Sequence, residues 1–131
     1  MPLMLAEQAG DPKQDVRERI GSLDGVKVTR AQVLVGIYKR PERTKSGLVL
    51  PEQVRDEDKY QGKVGLVLAV GPDAFVDDEK VRFAVRPLVG DWVVYKVSDG
   101  WPLRINSDKA DCRILDDVDV RLVVDQPDRV Y

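Results

Sequence analysis

The sequence predicts an all-β domain, a barrel or sandwich of short strands, and three observations carry that reading. Valine supplies 22 of the 131 residues and isoleucine four, and a β-branched side chain that crowds a helix packs well on a pleated surface. Apolar residues recur at every second position in several short runs. Turn signals separate those runs, among them Gly71-Pro72-Asp73, Val89-Gly90-Asp91 and Ser98-Asp99-Gly100. The length suits one compact domain with a single core.

Residues 1–25 carry three basic and five acidic side chains, whereas residues 26–131 carry 18 of each, so the composition changes near Gly25. The expected division is an N-terminal extension, 1–25, and a β domain, 26–131. Within the extension, Asp11, Pro12 and Gln14 read as N-cap, first helical residue and capping-box partner, and Val16, Ile20 and Leu23 recur at helical spacing. The extension is thus either a short amphipathic helix or a disordered arm, because helices this short are marginal alone.

From Val26 the period becomes two: Val26 and Val28, then Val33, Val35 and Ile37, closed by Pro41. Residues 42–61 are mostly polar but hold an apolar island, Gly47-Leu48-Val49-Leu50, followed by Pro51. A loop of about 20 residues is long for so small a domain and is usually functional or disordered. Further strands are expected over Lys63–Val70, Trp92–Val97, Trp101–Ile105, Cys112–Leu115 and Val118–Val124, and a hairpin-like excursion with the acidic tip Asp77-Asp78-Glu79 within 74–88.

Absent residues exclude most chemistries. There is no histidine and one cysteine, Cys112, so the N/S ligand sets of zinc, copper and iron–sulfur centres cannot be assembled, nor can a histidine-dependent catalytic triad. Cys112 lies in an apolar strand pattern, the setting of an inert buried thiol. No phosphate-cradling glycine motif occurs. The aspartates at 108, 111, 116, 117 and 119 lack an EF-hand spacing and read as turn residues. We expect no catalytic residue, metal or cofactor, and hence no enzyme. Balanced charge, with pI near 5.2, disfavours nucleic acid, and no apolar run approaches the ~20 residues of a membrane span. A lone cysteine and no signal-peptide pattern point to the cytoplasm.

The order of the remaining motifs carries a resemblance. Thr44-Lys45-Ser46-Gly47-Leu48-Val49-Leu50 is followed by Gly65-Leu66-Val67-Leu68-Ala69-Val70-Gly71, by Val89-Gly90-Asp91-Trp92-Val93-Val94-Tyr95 and by Asp119-Val120-Arg121-Leu122-Val123-Val124. Over about residues 26–126 the chain resembles GroES-type co-chaperonins, the lids of chaperonin rings. The resemblance implies an irregular β-barrel and a homoheptamer in which first and last strands of neighbouring subunits pair. It also implies a mobile loop, about 42–61, that grips the chaperonin through Gly47, Leu48, Val49 and Leu50, and a roof hairpin, about 72–88, above the enclosed substrate protein. ATP would be bound by the partner. Ser46 replaces a family glycine, Pro51 directly after Leu50 stiffens the exit of the segment, and the extension has no counterpart in the ordinary short family members; these departures suggest a divergent member, such as a phage-encoded one acting in its host's cytoplasm. The alternative reading is a structural or assembly protein, a virion or scaffold component built on the same barrel. A domain of a zinc alcohol dehydrogenase is disfavoured by the missing ligands.

Overall fold

Strands of β-branched residues can bury their polar main chain only by pairing with one another, and six of them do so here. The computed structural model describes residues 11–39, 63–106 and 111–130. Its elements are helix α1 (Pro12–Ile20) and strands β1 (Gln32–Ile37), β2 (Val64–Val70), β3 (Trp92–Val94), β4 (Trp101–Leu103), β5 (Cys112–Asp116) and β6 (Leu122–Val124), with 3-10 turns at Asp117–Asp119 and Pro127–Arg129. The strands form one antiparallel sheet in the order β4-β5-β1-β2-β3-β6. The all-β expectation is met.

β1 is the centre of that sheet. Along β2, Leu34 faces Ala69 but Val35 already faces Val67, so Leu68 is an extra residue, a bulge that raises the local twist. Alternate side chains of β1 enter two apolar clusters. Leu34 joins Leu66, Trp92, Cys112 and Ile114 under α1, while Val33 and Val35 join Val67, Val93, Leu115 and Phe75 on the opposite face. Burial on both faces explains why apolar Leu34 and Gly36 stand between the alternating Val33, Val35 and Ile37, where a half-buried strand would carry polar residues.

Helix α1 starts where Asp11, in extended conformation, accepts the Lys13 N–H at 3.0 Å and Pro12 takes the first helical position. Gln14 does not close a capping box; its amide bonds Glu18 one turn on, at 2.9 Å. The helix ends at Gly21, φ +87°, whose N–H donates to the Arg17 carbonyl. The Asn106 amide donates to the carbonyls of Ile20 and Ser22, at 2.9 and 2.6 Å. Nine residues make a marginal helix in isolation. Docking stabilises it: Val16 and Ile20 are only 1% and 2% exposed, and such burial contributes roughly 1.5–3 kcal/mol per side chain. They reach the sheet because β1 has glycine at 36, where a Cβ would lie 2.5 Å from Val16 Cγ1 and 2.7 Å from Ile20 Cδ1.

Several expected strands are shorter than the sequence pattern. Val26–Thr29 forms no strand, Gly25 at φ +83° turning the chain ahead of it. The 74–88 excursion contains no strand; its bonds are local, as where Asp78 accepts both the Lys80 and Val81 N–H groups at 2.7 Å. β3 stops at Val94, although Tyr95 N–H still reaches the Lys63 carbonyl at 3.0 Å, and the Asp99 carboxylate then takes the Lys96 N–H into a turn. The expected Val118–Val124 strand is split, because Asp119 accepts the Asp116 N–H at 3.0 Å and stabilises the Asp117–Asp119 turn before β6. In each case an aspartate or glycine offers the backbone an alternative to the ladder.

If α1 is part of the core, Ile20→Ala should lower the unfolding free energy by about 2–5 kcal/mol, measured by urea denaturation. A loss under ~0.5 kcal/mol, the level of an ordinary surface change, would contradict the packing.

Candidate functional site

Gly47, Leu48, Val49 and Leu50 lie outside the described residues. The structure does describe the base from which the β1–β2 connection springs. Its two roots are tied together: the Tyr38 N–H donates to the Val64 carbonyl at 3.0 Å, directly beyond the last β1–β2 pair, Ile37 with Gly65. The Tyr38 ring packs edge-on to Trp92, centroids 5.4 Å apart, and its hydroxyl donates to Asp128 Oδ1 at 2.6 Å. The C-terminal 3-10 turn is thereby fastened to the loop root.

On the other side of the root, Ile37 is held through both main-chain groups. Its N–H donates to the Asp111 carbonyl at 2.8 Å, and its carbonyl accepts from the Arg19 guanidinium. The Asp111 side chain is 3% exposed and lies between Arg19 Nε at 3.6 Å and Lys39 Nζ at 3.3 Å. A buried carboxylate is tolerated only when paired, so α1, the loop root and the start of β5 are joined by one charge cluster. Burial lowers the Arg19 pKa from its ordinary value, with the Asp111 charge acting in the opposite direction. Beside the cluster, burial pushes the Cys112 thiol from 9.0 to about 11, the Asp111 charge adding to the shift and Arg19 opposing it.

Residues 72–88 form a second feature. Phe75, at φ +59°, is buried; its N–H donates to Asp117 Oδ2 at 3.0 Å and its ring meets Phe83 edge-on at 5.5 Å. Arg86 Nε donates to the Phe75 carbonyl at 2.9 Å while the same guanidinium pairs with Asp77 at 3.0 Å. The excursion is thus tied to the sheet at its base and carries the exposed groups Asp78, Glu79 and Lys80 at its tip.

The two sheet edges differ. β4 carries Pro102, which has no N–H to offer a further strand. β6 is Leu-Val-Val, pairs with β3 alone among the described strands, and leaves Leu122 and Val123 exposed. A groove of about 300 Å³ runs beside it, lined by Phe75, Phe83, Val85, Pro87, Val120 and Val123 among others. Among the described residues the β6 edge is apolar and unpaired on its outer side, and Val26–Thr29 lies outside the sheet with Val28 packed against the core.

Comparison with known proteins identifies the family. The family model for the chaperonin 10 kDa subunit matches residues 25–124. The chain belongs to that co-chaperonin family. It is 33% identical over 87 residues to the co-chaperonin GroES of Caldicellulosiruptor saccharolyticus, covering 66% of this chain and 85% of the relative. It is 34% identical over 85 residues to the GroES of Symbiobacterium thermophilum, 64% of this chain and 81% of the relative. With the GroES of Corynebacterium diphtheriae it shares 31% identity over 84 residues, 64% of this chain and 80% of the relative. In this co-chaperonin the residues that sequence reasoning passed over are Arg19, Tyr38, Lys39 and Asp111. Asp111 reads as a turn aspartate and Lys39 as part of a solvated basic tract, and no local pattern points from either to Arg19.

Two outcomes follow from the raised Cys112 thiol. In the folded protein it should resist a thiol-specific reagent at pH 8 and react only on unfolding, by a timed spectrophotometric assay. Because the thiol titrates higher when folded than its ordinary 9.0, its share of stability is present below that pH and is lost as pH rises toward about 11. Cys112→Ala should flatten that part of the stability profile, measured by denaturation between pH 8 and 11.

Proposed function

We propose that the chain acts as the lid of an ATP-driven chaperonin: several copies, seven by the resemblance, close into a ring that caps the chamber around a folding protein. The observation that carries this reading is the family match over residues 25–124, which runs through β1, the loop, the excursion and β6. Its role is non-catalytic, with ATP turned over by the partner. We place it in the cytoplasm; among the described residues no helix is long and apolar enough to cross a membrane.

Each structural feature has a use in that reading. The apolar edge of β6 suits pairing with Val26–Thr29 of a neighbouring copy, which closes a ring because the same two surfaces recur on every subunit. The 72–88 excursion, fastened at Phe75, supplies a polar roof. Leu48, Val49 and Leu50, flanked by Gly47, supply the grip on the chaperonin. Burying three aliphatic side chains gains roughly 5–9 kcal/mol at about 1.5–3 kcal/mol each. Ordering the segment costs about 1–2 kcal/mol per residue, so one loop binds weakly. Several loops on one ring bind through effective concentration and still release when the partner changes state.

Pull-down with a chaperonin ring and ATP tests the grip: Leu48→Ser/Leu50→Ser should lose nearly all association, and equal retention by both proteins would remove the loop's role. Native mass measurement tests the ring, with an oligomer near seven copies expected and a stable monomer at micromolar concentration contradicting it.

A further inference from the structure

The lid reading leaves α1 without a task. The family match begins at residue 25, after the helix has ended at Ile20, yet α1 is seated in the core and contacts the loop root directly. Arg19 donates to the carbonyl of Ile37, the last residue of β1. It also shares the Asp111 carboxylate with Lys39, the second residue beyond β1. The anchorage behind Arg19 is firm, since Val16 and Ile20 pack in the space left by Gly36 and Asn106 holds the helix C-terminus. A cation delivered from a docked helix to a strand-end carbonyl and a buried carboxylate is an aiming device more than a source of stability, because the cost of desolvating such charges offsets much of their attraction.

We infer that α1 is a clamp on the first root of the β1–β2 connection, with Arg19 as the positioning residue that holds Ile37–Lys39 in one direction and so strengthens association of the lid with its chaperonin. The inference rests on the lid reading for its last step. A binding segment that leaves the sheet from a fixed root has less freedom to lose when it docks. The effect compounds when several segments on one ring engage together.

The test compares wild type, Arg19→Gln and Arg19→Lys as full chains. Amide hydrogen exchange reads the root. In Arg19→Gln, exchange at Ile37 and Tyr38 should rise about tenfold, the low end for a lost charge-assisted hydrogen bond at a partly exposed site. In Arg19→Lys, which keeps a cation near Asp111, the rise should stay within about threefold. Amides of Val33 and Val35 should keep the wild-type rate in both. Association with the chaperonin in ATP should weaken about tenfold or more for Arg19→Gln, with the oligomer's mass unchanged and affinity restored in large part by Arg19→Lys. Should Arg19→Gln fold poorly, Lys39→Gln removes the other cation from Asp111 and should shift root exchange in the same direction. Unchanged exchange at Ile37 and Tyr38, or a rise spread equally over Val33 and Val35, would overturn the clamp. Failure of the wild type to associate with any chaperonin would overturn the lid reading and the link to the partner, while the exchange profile would still decide the clamp.

Discussion

Strand β1 is hydrogen-bonded on both edges and packed on both faces, and the other elements take their places from it. β2 and β5 flank it in the ladder. Its alternate side chains divide between the two apolar clusters, and a helix approaches it at Gly36 because no side chain stands there. A strand held on four sides has little freedom to tilt or slide, since a one-residue slip would exchange its two faces. The segment proposed to grip the chaperonin lies in the connection that leaves that strand. Rigidity in β1 therefore becomes directional control over whatever begins at Tyr38.

A buried carboxylate completes that control. Asp111 opens the segment leading into β5, and its charge is met by one cation from α1 and one from the loop root. Replacing such a cluster with apolar side chains would often cost little stability, but removing one member strands a charge. The cluster ties α1, residues 37–39 and the start of β5 together. Tyr38 does the same on the opposite flank, with its ring on Trp92 and its hydroxyl on Asp128. Segments from both ends of the chain meet at one root.

The sheet edges carry the logic of assembly. An open edge is a hazard for a monomer and an asset for a ring subunit. Proline blunts β4, while β6 presents apolar residues beside an apolar groove. Weak single contacts, repeated by symmetry, can then be strong together and reversible together. That combination suits a co-chaperonin, which must both close and leave.

The strands of the sheet and the start of α1 were legible in the sequence because their signals are local. Alternating Val33 and Val35 mark β1, an unbroken apolar run marks β2, Asp11-Pro12 marks the start of the helix, and glycine–aspartate turns separate the pieces. The same local rules overran the strands at Val26–Thr29 and Val118–Asp119, where periodicity persists but no partner strand or a competing aspartate decides the outcome. The island Gly47-Leu48-Val49-Leu50 stands out in sequence as an apolar run in a polar segment, and it lies outside the described residues. By itself, then, the sequence determined an all-β co-chaperonin domain and named its candidate grip. Only the tertiary structure decided that the extension's helix belongs to the core and bears on the loop root. Arg19, Lys39 and Asp111 come from three segments far apart in the chain, and a charge cluster of that kind exists only once packing has brought them together.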